Sequence, residues 1–548
     1  MGHDFDVVIV GAGINGLACG CYLQKAGLDV AVVEKRNECG PFALTEDIFS
    51  CGVPVDTHAG VCFITMSPVW GDLELGEYGL DLILPEVAAG TIWPDRNLIY
   101  YYDPARTWEQ ISRYSKDDAD TFVEFLARIG GDLPEILSRA VFAPPTEEGE
   151  DYLFSLGKYI GFGEHDMRTM NGVELLDLIY ENDYVKMSML GIADIGVFGD
   201  PAEKGEGAVM TLLAWALGIA VPRGGMHNLV HALVRCFRHH GGTLMLNAPV
   251  AEVTWQGGRP AGVVLEEYSP YPDKELTARQ AVVMHASPPV ASTLLGADKV
   301  DELDHSLRRR MRDWDMTGHC AFTSYYLLDT PIEWGSKAWN PDVQQCAYPL
   351  RAWDSWDHAS RFFQRAKNEE LLSVAADVGE IYNMGCVDPS RVSPDGKTAV
   401  VFEVEYPMNL RRHGGMQAWD ERALTDRLHE RHTECLEELA PGTRGRIAAS
   451  TYFTPIDNWR RNPSAVFGHE LGGDVSGPQW YLGRMPARTS IEGLYFSQGI
   501  WPASLTHLGS GYVAAGCVAE DLGVREQPWW DHRPMELMYE LIAGRGSR

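Results

Sequence analysis

The sequence predicts an α/β fold in which a discontinuous Rossmann-like domain carries an inserted mixed α+β domain. The first forty residues read as strand, tight turn, helix, strand and acid: Val7-Val8-Ile9-Val10, Gly11-Ala12-Gly13-Ile14-Asn15-Gly16, an amphipathic run to Gly27, then Val30 to Val33 and Glu34. After Glu34 the regular alternation stops; strand and helix patterns of the same kind return from Pro222 to Ala286 and again from Gly493 to Leu522. Two long mixed stretches separate the three pieces. One nucleotide-binding domain built from residues 1–70, 220–290 and 475–525 accounts for this order, with 71–219 and 291–474 forming a second domain and 526–548 a tail helix.

Each element has a local reason. Gly11 permits the turn, Gly13 lets the backbone approach a pyrophosphate, and Gly16 lets helix and strand pack, while the helix N-terminus offers amide donors and its positive dipole end. Glu34 follows Gly16 by eighteen residues, where a carboxylate accepts hydrogen bonds from a ribose diol. In this context the motif predicts an adenine dinucleotide; the alternative is an ordinary βαβ unit with glycines at its turn. Helical patterns cover Asp117 to Ile129 and Gly172 to Leu190. Pro222-Arg223-Gly224-Gly225-Met226 starts a helix to His240, Gly241-Gly242 ends it, and strands follow at Thr243 to Leu246, Val250 to Trp255, Gly262 to Glu267 and Ala278 to Ala286. Cys320 to Leu328 and Thr398 to Val404 read as strands, Asp420 to Leu439 as a helix, Gly493 to Gly499 as a strand entering a turn, and Gly509 to Leu522 as a glycine-started helix. In the tail, Leu537, Met538, Leu541 and Ile542 share one helical face, whose expected partner is its own domain, another subunit, or a shallow membrane surface.

Composition narrows the function. With 46 Lys and Arg against 77 Asp and Glu, the net charge of −31 repels phosphate backbones and anionic headgroups, which argues against nucleic acid as a partner. The longest apolar run, Ala208 to Val221, falls short of the roughly 20 residues a bilayer span needs. Asp4 and Asp6 stand where a secretory signal would carry positive charge, and the eleven cysteines show no paired CxxC spacing. A cytoplasmic protein with reduced thiols and no zinc site is expected.

With these segments placed, the chain resembles the phytoene desaturase-like branch of the flavin amine oxidase superfamily, which includes carotenoid desaturases and retinol saturases. The likeness rests on four anchors: Gly11 to Glu34; Pro222 to Met226, like the family's P-x-G-G-M helix start; Asp388-Pro389-Ser390 to Pro394-Asp395-Gly396-Lys397; and Gly473-Asp474 through Arg484-Met485-Pro486 to Gly493-Leu494-Tyr495 and the Gly509 helix. The resemblance implies FAD, held by Gly11, Gly13, Gly16, Glu34, Lys35, Thr45, Val250, Gly499, Gly511 and Tyr512, and a substrate-binding role for the inserted domain. It places Val250 against the adenine, and Gly499, Gly511 and Tyr512 by the pyrophosphate, ribityl chain and pyrimidine side of the flavin. Two departures stand out. Pro41 replaces the second glycine of the family's G-G-x-x-x-[ST] loop, removing an amide donor. Trp501-Pro502-Ala503-Ser504-Leu505-Thr506-His507-Leu508-Gly509 replaces a glycine-rich stretch, and its bulk favours a compact substrate over a long polyene.

Oxidised flavin accepts a hydride at N5 from a C–H bond held close in a dry pocket. The candidates for base or substrate contact are His507, Tyr325 or Tyr326, of which alternation sends one inward, Trp501 as a wall of the flavin, and His58 as a structural histidine or covalent attachment point. The leading expectation is an FAD-dependent dehydrogenase or desaturase acting on a hydrophobic isoprenoid or alicyclic molecule, with oxygen, a quinone or a redox protein as electron acceptor. The alternatives are a flavin amine oxidase and a flavin-binding subunit of a hetero-oligomer; a homo-oligomer is also open.

Overall fold

The computed structural model describes residues 3–195, 200–216, 218–367, 378–503 and 505–546. Leu217 and Ser504, which belong to two of the runs above, lie outside them. The first sheet runs in the order Val250–Gln256, Arg259–Leu265, Glu275–Met284, His3–Val10, Val30–Val33 and Thr243–Met245, and Leu494–Phe496 joins the far half of Glu275–Met284. The strands around His3–Val10 are parallel, with Val7 to Val10 opposite Val30 to Val33 on one side and Ala281 to Met284 on the other. All three runs are buried and continuously apolar, as strands covered on both faces require. The helix Ile14–Lys25 follows the first strand and packs against Gly509–Asp521, where a Cβ on Gly511 would come 2.3 Å from the Asn15 carbonyl oxygen.

The second sheet is ordered Ile447–Phe453, His319–Leu328, Thr398–Pro407, Gly379–Tyr382, Pro349–Arg351, Val87–Ile92 and Asn97–Tyr101. Its last two strands fall in the first mixed stretch, where only helices and loops are expected; their short apolar runs carry no alternation to separate them from buried helix. The helix Arg422–Leu439 covers one face, stacking His429 on Tyr326 with centroids 5.2 Å apart. Tyr325 is buried on the opposite face, so both tyrosines are interior and the expectation of one inward and one outward fails because the sheet is covered on both sides.

The single helix expected over Gly172 to Leu190 is two, Gly172–Ile179 and Asp183–Ile195. The buried Asp118 carboxylate breaks it by accepting from the Glu181 and Asn182 amides at 2.9 and 3.0 Å, and Asn182 Oδ1 accepts from the Tyr184 amide at 3.0 Å. The tail docks on its own chain: Trp530 packs on Tyr22 of the first helix with centroids 4.5 Å apart, and a helix follows at Glu536–Gly546. All eleven cysteines are free thiols. Among the described residues no helix is long and apolar enough to cross a membrane.

Glu206, at the start of the Glu206–Ala214 helix, is buried with its carboxylate accepting from the Gly477 amide at 2.8 Å. Burial pushes its pKa up to about 8 from the usual 4.5, the Gly477 amide opposing and the Glu203, Asp200 and Asp474 charges adding to the rise. Folded protein therefore holds a proton that unfolded protein releases, and stability falls as pH rises from about 4.5 to about 8. Glu206→Gln keeps an acceptor and is expected to flatten this slope, raising the thermal midpoint at pH 8.5 more than at pH 5.5 in melts followed by circular dichroism.

Candidate active site

A cavity of about 340 Å³ is lined from both sheets. At one end stand Gly11, Gly13, Asn15, Glu34, Lys35 and Val250. The Ile14–Lys25 helix begins here with no side chain capping its N-terminus, which leaves its first amides for an anion. Glu34 is buried, and its two oxygens accept from the Ala12 and Arg36 amides at 2.8 Å each. Burial raises its pKa and those amides oppose the rise. Each oxygen retains a second lone pair, so the carboxylate can still receive a diol.

The fingerprint glycines also admit a group that motif reading missed. A Cβ on Gly13 would lie 2.5 Å from His285 Nε2, and one on Gly16 2.8 Å from its ring carbons. His285 lines the cavity, shares a 3.1 Å hydrogen bond between Nδ1 and Ser497 Oγ, and is held neutral by burial, which pushes its pKa down to about 4. The signal available was its position, one residue past a central parallel strand, where open α/β sheets bind ligands.

Toward the other end, Gly40 forms a turn at φ +66°, its amide donating to the Ala12 carbonyl at 2.9 Å and its carbonyl accepting from the Ala43 amide at 2.8 Å. This turn carries Pro41 and Phe42 to the cavity wall, and Phe42 packs on His58 with centroids 4.6 Å apart. Beyond it the lining becomes acidic: Glu380, Glu403, Glu405 and Glu470 surround His58, with Tyr348 and Tyr382. Strand register sets Glu380 directly opposite Glu403. Tyr382 Oη donates toward Glu380 at 2.7 Å and Glu403 at 3.2 Å, and Thr323 Oγ1 donates to Glu403 at 2.6 Å. His58 stands between two carboxylates, its Nε2 against Glu470 and its Nδ1 3.4 Å from Glu403.

The electrostatics follow from that crowding. Burial alone would lower the His58 pKa, but Glu470 and Glu403 outweigh it and raise it to about 9. Burial raises Glu470 while His58 holds it back, and burial together with Glu403 drives Glu380 well above the carboxylate range. His58, Glu470 and Glu380 thus all hold protons more tightly than they do in water. This end can hold, accept or return a proton and favours positive charge placed within it. The ligand atoms of His58, Glu403 and Glu470 lie within 4.8 Å of one another, a spacing that would also admit a cation.

Of the expected positions, Gly11, Gly13, Glu34, Lys35, Val250 and His58 line this cavity, and the others do not. Gly16 packs against the Gly11 carbonyl and the His285 ring. Thr45 Oγ1 donates to Asp56 at 2.6 Å, and Gly499 is packed on Pro288 and Met485. The Gly511 amide, expected by the flavin, donates to Asn15 Oδ1 at 3.1 Å, and Tyr512 stands edge-on to Tyr22 at 5.4 Å. Trp501 Nε1 donates to the Ala140 carbonyl at 2.7 Å, and Tyr325 Oη to the Thr57 carbonyl at 2.6 Å. His507 is fully buried, its Nδ1 accepting from the Gly509 amide at 2.9 Å, and burial pushes its pKa down to about 3. These side chains are committed to packing and to helix ends. His507→Ala is accordingly expected to cost about 1–3 kcal/mol by orphaning the Gly509 amide, with flavin reduction rates within about twofold of wild type in stopped-flow traces, a span worth under about 0.5 kcal/mol of barrier.

The cavity's uncapped helix end, buried carboxylate and glycine turn suit an adenine dinucleotide, and residues 14–323 match the family model described as flavin containing amine oxidoreductase. The chain belongs to that family. Within it, a limonene dehydrogenase subunit of Castellaniella defragrans is 25% identical, covering 98% of both chains. Phytoene desaturase (lycopene-forming) of Pantoea ananas is 24% identical over 94% of this chain and 99% of its own. These relatives put the chain in the carotenoid desaturase-like branch, as an FAD-dependent oxidoreductase. The pyridine nucleotide-disulfide oxidoreductase domain-containing protein 2 of Rattus norvegicus is 26% identical over 95% of this chain and 94% of its own. A putrescine oxidase variant shares the fold at a TM-score of 0.58 and 16% identity, covering 96% of this chain and 100% of its own.

Proposed function

We propose that this flavoprotein dehydrogenates a hydrophobic isoprenoid or alicyclic molecule, the C–H bond that reacts being held at the acid-lined end of the cavity. FAD, when bound along the Gly11, Glu34 and Val250 wall, supplies a hydride acceptor at N5. The observation that carries the reading is the group of buried His58 and Glu403 with half-buried Glu470 beside the Pro41-Phe42 turn. A carbon that loses hydride becomes cation-like, and fixed carboxylates in a buried site favour that charge as it develops. The same group takes the neighbouring proton, giving an alkene, or positions a water that adds to an allylic cation, giving an alcohol.

An amine substrate is the second reading, and the carboxylates favour it too, since they attract an ammonium group. A subunit role is the third, supported by the name of the relative that is itself one subunit of a dehydrogenase. The deciding experiment is anaerobic bleaching of the purified yellow holoprotein by monoterpenes, cyclic ketones, carotenoids and amines. Bleaching by terpenoid or alicyclic compounds is expected; bleaching by amines alone overturns the first reading in favour of the second. Bleaching that requires admixture of a paralogous chain favours the third.

A further inference from the structure

We infer that His285 is a ligand of the cofactor's diphosphate, its Nε2–H donating to a phosphate oxygen at the N-terminus of the Ile14–Lys25 helix, a role that does not depend on which substrate is oxidised. The glycine fingerprint itself specifies no side chain for this task. His285 follows the last residue of the Glu275–Met284 strand, and its backbone is tied to the first strand, the amide donating to the Val10 carbonyl at 2.9 Å. The ring therefore lies along the glycine turn: a Cβ added at Gly13 would come 2.5 Å from Nε2, and one at Gly16 2.8 Å from two ring carbons. Gly13 is the residue at which the helix begins without a side-chain cap, so the Nε2 edge and the free first amides face the same part of the cavity.

The two ring nitrogens are not equivalent. His285 is 8% exposed; its Nδ1 is 3.1 Å from Ser497 Oγ, while Nε2 has no hydrogen-bond partner among the described residues. A buried polar nitrogen without a partner is unfavourable, and a ligand oxygen relieves that. Burial keeps the ring neutral, with a single proton. The serine hydroxyl can donate to Nδ1, which leaves that proton on Nε2, where an anionic oxygen favours it. The neighbouring polar side chain of the turn is already committed: Asn15 Nδ2 donates to the Leu505 carbonyl at 3.2 Å, and its Oδ1 accepts from the Gly511 amide at 3.1 Å. A diphosphate seated here would thus meet backbone amides and one imidazole N–H.

The test follows FAD release from the diluted holoprotein by the fluorescence of the freed flavin. His285→Phe keeps a ring against Gly13 and Gly16 but lacks the N–H, and is expected to hold FAD at least about tenfold more weakly than wild type. His285→Gln, whose amide can bring an N–H close to the place of Nε2, is expected to stay within about threefold of wild type. Wild-type affinity in His285→Phe reduces the residue to packing and overturns the assignment, as does a glutamine variant as weak as the phenylalanine one. Carbethoxylation of wild type, mapped by mass spectrometry, decides the matter if neither variant folds. The His285 peptide is expected to react in flavin-free protein, to be protected by FAD and by ADP, and to stay reactive with adenosine or riboflavin, which carry no phosphate. Protection by adenosine equal to that by ADP, or equal labelling with and without FAD, overturns the phosphate contact.

Discussion

Glu403→Gln slows anaerobic flavin reduction by at least about a hundredfold, the size of a lost acid–base or charge-stabilising group, with FAD content unchanged. Glutamine preserves the shape and one acceptor oxygen for Thr323 Oγ1, so the sheet register is kept and only the charge is lost. That charge faces His58 Nδ1 at 3.4 Å and is one of the two carboxylates that raise the imidazole's pKa. In wild type, protonated His58 contributes stability that is full below about 6.5 and is lost as pH rises through about 9. The variant shifts the upper limit of that window downward, and the pH profile of bleaching moves with it. Stopped-flow bleaching across pH 6 to 10 reads both effects. Wild-type rates in Glu403→Gln remove the acid cluster from the chemistry, and a lowered rate with an unmoved profile removes His58 from it. Asp395→Asn, an exposed carboxylate paired with Lys397 at 2.8 Å, is the control and leaves rate and profile alone.

Gly11→Ala yields a colourless protein with a lowered thermal midpoint. Gly11 sits at φ +108°, where side chains are strained, and a Cβ there would lie 2.4 Å from the His285 carbonyl oxygen. That oxygen belongs to backbone tied down by the His285 amide donating to the Val10 carbonyl at 2.9 Å, so the neighbour cannot yield. Strain and overpacking together cost about 2–6 kcal/mol, a large share of an ordinary folding margin. The distortion falls on the turn that presents the helix N-terminus to the dinucleotide. Gly27→Ala separates the two terms: its φ of +96° carries strain, but nothing lies within 4 Å of the added Cβ. It is expected to lose stability modestly and remain yellow. A yellow Gly11→Ala protein with the wild-type midpoint would sink the claim.

Local patterns were legible wherever they were periodic or punctuated by glycine. The opening βαβ unit, the His227–His239 helix and the strands at Val250–Gln256 and Glu275–Met284 follow from them directly. The break at Tyr180 to Asn182 was not legible, because the carboxylate that causes it comes from Asp118, some sixty residues earlier. Tyr325 and Tyr326 misled for a related reason: alternation gives the two faces of a strand, and says nothing about what covers them. His507 is expected near the flavin from its place in the chain, and Gly511 and Trp501 from the resemblance; in the fold His507 Nδ1 accepts from the Gly509 amide, the Gly511 amide donates to Asn15 Oδ1, and Trp501 Nε1 donates to the Ala140 carbonyl.

The cofactor class and the shape of the turn proposed to receive it were thus set in the sequence, because Gly11, Gly13, the helix start and Glu34 act over one short stretch of chain whose conformation they dictate. The acid-lined end was not. His58 lies more than three hundred residues before Glu380, Glu403 and Glu470, and no spacing marks the four. Strand register sets Glu380 against Glu403, and packing brings His58 between Glu403 and Glu470. Their chemistry depends on burial beside one another, and burial is a property of tertiary structure alone.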